Sequence, residues 1–250
     1  MSRPDPPFPF LVVAHRGASR FAPENTLASF RRAIDMGVRA VEFDVHQSRD
    51  GELLVIHDES LKRTCGKDAL VRDLDASSIR ALDAGSWFGP AFRGERVPTL
   101  RETLDLLIGR ATIHLEIKQG SRYYPGIESN VIGLLRKMGA VRDTVLSSFD
   151  RQALFEARRV DFSARIGYLL GRTSIATALK ETSELNAESL HLSLRQTTAA
   201  RVRAAHQKGL QVLTYTVLTA SQGRRLRALG VDGIFANDPG LIEEPRHDAP

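Results

Sequence analysis

The residues best suited to chemistry are gathered in one short stretch, VEFDVHQSRDGELLVIHD at residues 41–58. Glu42 and Asp44 are two positions apart, so in a strand both carboxylates project from the same face. His57 follows near the end of the stretch, and imidazole is the side chain that titrates nearest to neutral pH. Because two close carboxylates repel each other, the stretch predicts a compact acidic site that a cation would stabilise.

A hairpin is the element that would bring these groups together. Asp-Gly between two apolar runs is typical of a two-residue hairpin turn. With Asp50 and Gly51 as the turn, the residues that face each other across the two strands are Arg49 with Glu52 and Asp44 with His57. Directly opposed residues have Cβ atoms about 4.5–5.5 Å apart, so we expect His57 beside Asp44.

Two further apolar runs end in polar residues of the same kind. His15 and Arg16 follow FLVVA, and Glu116 and Lys118 lie in the last positions of ATIHLEIK. Carboxylates that converge from neighbouring strands form a site of hard oxygen ligands, which suits Mg²⁺ or Ca²⁺. Zinc is less suited because the chain has no HxH or HExxH spacing. We predict one divalent cation, bound by Glu42, Asp44 and Glu116.

The remaining charged groups of the set suit a phosphate ester. An Arg fork and a Lys beside a divalent cation bind phosphate oxygens well, which gives this role to Arg16 and Lys118. His15 and His57 titrate near neutral pH and can serve as a general acid and base pair. The set as a whole predicts metal-assisted cleavage of a phosphate ester.

Each motif taken alone also has a structural explanation. A single histidine at a strand end is more often a hydrogen-bonded structural residue, and Glu116 with Lys118 could form an exposed ion pair. Four such motifs, all at predicted strand ends, are harder to explain in this way. We interpret four further histidines as structural or surface residues: His46, His114, His191 and His206.

Short apolar runs alternate with amphipathic helical segments along the whole chain, and this pattern predicts a parallel sheet covered by helices. Eight strand-helix steps in 250 residues predict an α/β protein with a closed (β/α)8 TIM barrel as a single domain over residues 1–250. The hairpin and the loop-rich residues 58–98 form an insertion after the second strand. A loop region of that length is usually functional, and we expect it to cap the active-site face at the carboxyl ends of the strands.

Composition narrows the classes of function and location. The net charge is +5, but the arginines are scattered along the chain, so a nucleic-acid partner is not favoured. The single cysteine, Cys65, excludes an internal disulfide and suits a reducing compartment. The N-terminus lacks a signal-peptide pattern, and no run of about 18 apolar residues exists to span a bilayer. We predict a cytoplasmic protein without a membrane anchor.

The motifs give the chain a resemblance to the glycerophosphodiester phosphodiesterase family of the bacterial cytoplasmic type. The matching segments cover nearly the whole chain and are HRGASRFAPENTLASFRRAIDMGVRAVEFDVHQSRDGELLVIHDESLKRT, GSWFGPAFRGERVPTLRETLDLL, LEIKQG, YYPGIE, LSSFD and VDGIFANDP. The resemblance implies a (β/α)8 barrel that hydrolyses a glycerophosphodiester to glycerol 3-phosphate and an alcohol. It also implies that a glycerol hydroxyl attacks phosphorus and that water opens the cyclic phosphate so formed.

The same resemblance implies a role for each residue of the set. The catalytic pair would be His15 and His57, the metal ligands Glu42, Asp44 and Glu116, and the phosphate-binding residues Arg16 and Lys118. It does not say which histidine is the acid and which the base.

Two departures from the family pattern bear on substrate preference. A Trp-Thr-Val-Asn run is common near the seventh barrel strand, where this chain has Tyr215-Thr216-Val217-Leu218. A Thr-Asp pair is usual before the last proline, where this chain has Ala236-Asn237. Tyr215 can still supply an aromatic substrate wall. The other predicted wall residues are Trp87, Phe88 and Phe149.

Two other functions stay open at the level of sequence. One is a lipid-directed phosphodiesterase of the lysophospholipase D kind, and the other is a non-catalytic barrel that binds phosphorylated ligands. For the first-ranked function the partner is a small-molecule glycerophosphodiester, and the chain acts as a monomer or a homodimer.

Overall fold

The computed structural model describes residues 10–242. The predictions for the two termini, which include the absence of a signal peptide and the domain limits at residues 1 and 250, therefore fall outside the described residues. Among the residues that are described, no helix combines the length and the apolar character that crossing a membrane requires.

Within residues 10–242, nine strands form one sheet, and eight of them close into a parallel barrel. They are β1 (Leu11–His15), β2 (Ala40–Gln47), β3 (Leu53–Val55), β4 (Thr112–Ile117), β5 (Thr144–Ser148), β6 (Arg165–Leu169), β7 (Ser189–Ser193), β8 (Gln211–Val217) and β9 (Gly233–Ala236). The sheet order is β1-β9-β8-β7-β6-β5-β4-β2-β3, and the pairing of β1 with β2 closes the ring. The ninth strand, β3, pairs antiparallel with β2 as the return arm of a hairpin.

Helices connect the barrel strands on the outside. They are α1 (Leu27–Asp35), α2 (Lys62–Cys65), α3 (Ala76–Arg80), α4 (Leu100–Leu107), α5 (Ile127–Lys137), α6 (Arg151–Val160), α7 (Ile175–Glu184), α8 (Ala199–His206) and α9 (Ala220–Leu229). The two helices that flank the insertion begin with capping boxes, at Thr26 for α1 and at Thr99 for α4. In each box the threonine hydroxyl accepts from the backbone three residues on, and the reciprocal bond satisfies the cap's own N–H.

The strands alternate between the helical layer and the barrel interior. Phe43 and Val45 of β2 are fully buried in the main apolar core, and the ring of Phe43 packs against Phe30 of α1 with 5.7 Å between centroids. Because successive side chains of a strand point to opposite faces, Glu42 and Asp44 point into the barrel instead. The predicted (β/α)8 barrel is confirmed, with the hairpin and the insertion placed after the second strand.

The hairpin itself differs from its prediction by one residue. The observed pairs are Val45 with Val55, His46 with Leu54 and Gln47 with Leu53. The Ser48 N–H donates to the Glu52 carbonyl at 2.9 Å, so the turn has three residues, 49–51, rather than two. The expected partner of Asp44 is therefore wrong: Ile56 lies opposite Asp44 and donates its N–H to the Asp44 carbonyl at 3.0 Å.

The physical reason lies in the turn. Gly51 has φ +87°, and its N–H donates to the Ser48 carbonyl at 3.0 Å. A three-residue hairpin places a left-handed residue at this position, and glycine adopts that conformation without strain. Asp50 is engaged elsewhere, since its Oδ1 accepts from the Ser48 hydroxyl and from the Ala76 N–H of α3. The turn is thus tied to the insertion.

Residues 58–98 pack around a small apolar cluster of their own. Leu54 and Ile56 of the hairpin arm join it, and its other members come from the insertion: Leu61, Val71, Ala76, Ile79, Ala84 and Val97. The segment enters and leaves at adjacent points, because the Val55 N–H donates to the Pro98 carbonyl at 2.8 Å. The chain therefore leaves the barrel and returns to it at nearly the same point, and the insertion does not interrupt the barrel.

Candidate active site

Strands β1, β2 and β4 are neighbours in the barrel, and their carboxyl ends lie at the same rim. His15 is the register partner of Glu42 across β1 and β2, and Asp44 is the register partner of Glu116 across β2 and β4. Corresponding side chains of parallel strands project from the same face. The structure therefore brings these four side chains, predicted separately from three stretches, into one group.

The three carboxylates form a buried acidic cluster. Glu42, Asp44 and Glu116 each offer one oxygen atom, and these atoms lie within 4.8 Å of one another. Two cations border the cluster. Lys118 Nζ lies 2.8 Å from Glu116 Oε1 and 3.2 Å from Asp44 Oδ1, and Arg16 Nε lies 3.5 Å from Asp44 Oδ2.

The charges of this cluster do not balance. Burial alone would raise the pKa of Asp44, but Lys118 and Arg16 outweigh it and hold that pKa below its ordinary value. Burial and the nearby Asp44 charge raise the pKa of Glu42 well above its ordinary value. Burial also raises the pKa of Glu116 to about 7, against the opposing effect of Lys118. Three acids face two fixed positive charges, so a further positive charge would favour the ionised forms of Glu42 and Glu116.

A divalent cation fits this donor set. Its ligands would be carboxylate oxygens from adjacent strands, which is the ligand type that Mg²⁺ and Ca²⁺ prefer. A cation among Glu42, Asp44 and Glu116 would also lower the two raised pKa values, because it would offset both the burial of these carboxyls and their repulsion by Asp44.

His15 lies at the rim, and each of its ring nitrogens has an oxygen atom nearby. Its Nδ1 is 2.7 Å from Asn237 Oδ1, and its Nε2 is 4.0 Å from Glu42 Oε2. Burial, with the nearby Arg16 charge, lowers the pKa of His15 to about 4. The ring is therefore neutral near pH 7, and an Nδ1–H that donates to Asn237 leaves the Nε2 lone pair free.

His57 reaches the same cavity by a different route from the one expected. Strand β3 ends at Val55, and the chain then turns, so that His57 leaves the strand pattern and lines the cavity with His15. Its Nδ1 is 2.6 Å from Asp58 Oδ1, and its backbone carbonyl lies 2.9 Å from His46 Nε2. Burial lowers the pKa of His57, against the raising effects of Asp44 and Asp58.

Arg16 is fixed through its backbone as well as its side chain. It has φ +56°, which is uncommon for a residue other than glycine. This conformation lets its N–H donate to Glu42 Oε2 at 2.8 Å, while Nη1 donates to Glu24 Oε1 at 2.9 Å. Backbone strain at such positions is often associated with function.

A cavity of about 130 Å³ opens beside this charged group. Its far side is largely apolar, and the rings of Phe149 and Tyr215 meet there edge to face with 6.0 Å between centroids. Phe149 and Tyr215 thus line the cavity. Its full lining is His15, Arg16, Glu42, His57, Glu116, Lys118, Ser147, Phe149, Leu169, His191, Tyr215, Thr216 and Phe235.

The other two predicted wall residues are placed elsewhere. Within residues 10–242, neither Trp87 nor Phe88 is among those that line this cavity. Trp87 donates its indole N–H to the Ala84 carbonyl at 2.9 Å, and the Arg63 guanidinium lies 5.9 Å from the ring centroid. Phe88 packs edge to face on Phe92. Both aromatic rings are held by local contacts of the insertion.

Sequence reasoning missed several residues that hold the site together. Asn25 Nδ2 donates to Asp44 Oδ2 at 2.8 Å, and Asn237 and Asp58 contact the two histidines. The available signal was the adjacency of Asp58 to His57, which makes a side-chain contact between them easy. For Asn25 and Asn237 no local pattern marks the contact, because each bond joins distant parts of the chain.

Two histidines predicted to be structural or surface residues lie buried inside the barrel. The rings of His114 and His191 are 6.1 Å apart, and His191 lines the cavity. Among the described residues, neither Nδ1 atom has a hydrogen-bond partner. Burial lowers the pKa of each to about 3, so both rings are neutral.

Comparisons with known proteins find similar sequences along nearly the whole chain. The model of the glycerophosphoryl diester phosphodiesterase family matches residues 15–241. A glycerophosphodiester phosphodiesterase of Caldanaerobacter subterraneus is 35% identical over 233 residues, which are 93% of this chain and 96% of that protein. A Bacillus subtilis glycerophosphodiester phosphodiesterase is 34% identical and covers 94% of this chain and 85% of its own length.

Solved structures of similar proteins superpose on nearly the whole chain. An Oleispira antarctica phosphodiesterase in complex with the product sn-glycerol-3-phosphate superposes with a TM-score of 0.87 at 30% identity, covering 93% of this chain and 94% of that one. A glycerophosphodiester phosphodiesterase from Agrobacterium tumefaciens has a TM-score of 0.81 at 33% identity, over 93% of this chain and 98% of its own.

Proposed function

The chain belongs to the glycerophosphoryl diester phosphodiesterase family, and we propose from this that it hydrolyses glycerophosphodiesters to glycerol 3-phosphate and an alcohol. The observation that supports it most directly is one cavity lined by two histidines, two carboxylates and two positively charged side chains, with the third carboxylate, Asp44, within 4.8 Å of the other two. The similar Oleispira structure holds sn-glycerol-3-phosphate, which is the phosphate product of this reaction.

The proposed metal ligands are Glu42, Asp44 and Glu116, with Mg²⁺ or Ca²⁺ as the ion. A divalent cation bound there would polarise a phosphoryl oxygen and stabilise negative charge in the transition state. The raised pKa values of Glu42 and Glu116 support this assignment, because burial and the charge of Asp44 disfavour the ionised carboxylates and a bound divalent cation would favour them.

Arg16 and Lys118 are proposed to hold the phosphate. Both are positively charged, border the cavity and are fixed by ion pairs with the acidic cluster. Fixed charges that face the developing negative charge need no reorganisation during the reaction.

The two histidines differ in the group that holds them, and we assign their roles from this difference. His57 is held by the carboxylate of Asp58, which stabilises an imidazolium, so it suits the acid that protonates the leaving alcohol. His15 is held by the neutral amide oxygen of Asn237, which stabilises an imidazolium less than a carboxylate does, so it suits the base that accepts the proton of the attacking hydroxyl.

The decisive experiment measures glycerol 3-phosphate release from glycerophosphocholine. We expect activity to disappear after dialysis against EDTA and to return with Mg²⁺, Ca²⁺ or Mn²⁺, and the comparison of the three would identify the preferred ion. Undiminished turnover after complete chelation would contradict the metal role. No release from a panel of glycerophosphodiesters with any of the three ions would contradict the function itself.

A histidine variant tests the proton transfers. We expect His15→Ala to lower kcat by roughly 10²- to 10⁴-fold, the usual contribution of a positioned acid or base. His206→Ala is the matched control. His206 lies at the end of α8, its Nε2 is 2.8 Å from Asp232 Oδ2, and neither residue lines the cavity. Wild-type kcat in a folded His15→Ala protein would remove His15 from the catalytic pair.

The two alternative functions have less support. No relative or solved structure described above has a name that indicates a lysophospholipid substrate or a non-catalytic role. Hydrolysis of lysophospholipid vesicles in preference to soluble headgroups would favour the first alternative. Tight phosphate-ester binding without turnover would favour the second.

Location and assembly complete the proposal. We infer a cytoplasmic enzyme, which the single free cysteine supports because it suits a reducing compartment. Light scattering during gel filtration would separate a monomer from a homodimer, and localisation of the tagged protein in cell fractions would test the compartment.

A further inference from the structure

A chain of charged side chains that do not line the cavity connects the candidate catalytic residue His57 with the candidate phosphate-binding residue Arg16. It begins at His57, whose Nδ1 is 2.6 Å from Asp58 Oδ1. The second carboxylate oxygen of Asp58 accepts from Arg63 Nε at 2.6 Å. Asp58 therefore has one oxygen on the imidazole and the other on the guanidinium, so its orientation depends on both partners.

The opposite edge of the same guanidinium continues the chain. Arg63 Nη1 and Nη2 donate to the two carboxylate oxygens of Glu24 at 2.9 and 2.7 Å. One of those oxygens also accepts from Arg16 Nη1 at 2.9 Å. Arg63 thus uses three donors on two carboxylates, one of which orients His57 and the other Arg16.

The contacts join two separate parts of the chain. Asp58 and Arg63 belong to the insertion, and Arg63 lies in α2. Glu24 and Arg16 belong to the loop after β1. The pair Arg63–Glu24 spans 39 positions in the sequence, so the insertion and the β1 loop are held in register at this point.

Arg63 does not itself face the substrate. Of the residues described, those that line the cavity include His57 and Arg16 but not Arg63, Asp58 or Glu24. Arg63 is also 43% exposed. A forked network of ion pairs can still add to stability, so the effect of Arg63 on the reaction is read from kcat in variants whose folding has been checked.

We propose that Arg63 is a positioning residue, which fixes the proton-donating His57 and the phosphate-binding Arg16 relative to each other through Asp58 and Glu24. The inference rests on the proposed function for the roles of those two residues. Lysine could not replace Arg63, because a single ammonium lacks the planar fork that serves two carboxylates at once.

The first test compares Arg63→Gln with Arg49→Gln. Arg49 makes a similar fork, with Nε and Nη2 on the two oxygens of Asp75 at 3.0 and 2.6 Å, but this pair lies on the exposed hairpin side. We expect Arg63→Gln to lower kcat roughly 10- to 100-fold, as small misplacements of reacting groups do, and Arg49→Gln to leave kcat within twofold. An equal effect of the two substitutions would overturn the proposal.

Rescue separates positioning from a general structural effect. We expect Arg63→Lys to recover little of the lost kcat, whereas millimolar guanidinium added to Arg63→Ala recovers several-fold. Full recovery by lysine would show that only a positive charge is needed, which would also overturn the proposal.

A double-mutant cycle serves if the Arg63 variants do not fold. Glu24→Gln and Asp58→Asn each remove one end of the bridge. We expect the double variant to lose less kcat than the product of the two single losses, because both act through Arg63. Losses that simply multiply would mean that Arg63 does not couple the two ends.

A spectroscopic readout keeps this inference separate from the proposed function. If the wild type hydrolyses no diester, the function fails, but the ¹⁵N signals of the His57 ring still report its hydrogen bond to Asp58. We expect these signals to change in Arg63→Gln and to stay unchanged in Arg49→Gln. Identical His57 signals in wild type and Arg63→Gln would overturn the positioning role whatever the activity.

Discussion

The two sides of the candidate active-site cavity differ in the charge that they present. The side built by β1, β2 and β4 presents carboxylates and cations that are tied to one another by ion pairs. The opposite side, built by the ends of β5, β6 and β8, presents Phe149, Leu169 and Tyr215. The charged side suits the phosphate that every glycerophosphodiester shares, and the apolar side suits the part of the substrate that varies.

The difference also concerns rigidity. Each charged group of the first side has at least one partner that fixes it, whereas Phe149 is 50% exposed. Preorganised charges are required for chemistry, and an exposed aromatic ring can accommodate several alcohol groups. Substitutions on the two sides should therefore have effects of different size and kind.

The largest effect is expected from Asp44→Asn on the charged side. This change removes the buried carboxylate that Lys118 and Arg16 share, while each keeps a second partner in Glu116 or Glu24. The loss should therefore lie near the lower end of the about 3–5 kcal/mol that breaking a buried pair costs. We expect that loss of unfolding free energy in urea titrations with EDTA present. The control Asp75→Asn, in an exposed pair with Arg49, should cost about 0–1 kcal/mol; equal losses would show that the charged side is not preorganised.

An intermediate effect on the unfolding free energy is expected from a change of pH. This dependence tests how well the barrel interior beneath both sides is shielded from water. Burial lowers the pKa of His15 and His46 to about 4 and of His114 and His191 to about 3. The unfolded chain binds protons on these rings below pH 6.5, but the folded chain does not. Their stabilising contribution is thus present above pH 6.5 and is lost as the pH falls.

Glu116 and Glu42 act in the opposite direction, because burial raises the pKa of Glu116 to about 7 and also raises that of Glu42. Their contribution is present below their unfolded pKa values and is lost as the pH rises through the folded ones. The four histidines outweigh these two carboxyls, so the unfolding free energy without metal should fall from pH 6.5 to pH 4 by about 1.4 kcal/mol per pH unit for each net proton bound on unfolding. Urea titrations at pH 7, 6 and 5 measure this slope, and a flat profile would mean a wetter interior.

The smallest effect is expected from Phe149→Ala on the apolar side. Loss of a half-buried ring removes about 1 kcal/mol of apolar contact, so we expect KM for a bulky alcohol group to rise about fivefold with kcat unchanged. Phe162→Ala is the control, since Phe162 is 82% exposed and precedes β6 at the other end of the barrel. A fall in kcat with unchanged KM would assign Phe149 to the chemistry instead.

The sequence predicted the barrel and the grouping of the polar strand ends for a simple reason. Parallel strands bring their carboxyl ends to one rim, so Glu42, Asp44 and Glu116 needed only the period of a strand and the order of elements. The His57 register could not be derived, because it depends on whether the turn has two or three residues. That choice was set by Gly51 and by a bond from Asp50 to α3.

The supporting contacts were beyond reach for a related reason. The bonds of Asn25 to Asp44 and of Asn237 to His15 depend on loop conformations, and Asn25 itself has φ +56°. Such conformations leave no periodic trace in the sequence. Position along a regular element was therefore predictable, whereas the orientation of the side chains by their neighbours was not.

The two ends of the insertion lie side by side on the barrel, and this has a consequence for the evolution of the enzyme. Since the Val55 N–H meets the Pro98 carbonyl, the ends of the intervening segment are already joined, and its own apolar cluster holds it together. Lengthening a loop with joined ends costs little, about 0.6 kcal/mol for each doubling. We therefore expect that residues 58–97 can be exchanged for the corresponding segment of another family member. The donor segment must keep an aspartate next to the histidine, as Asp58 is next to His57, and an arginine five residues later, as Arg63 is here.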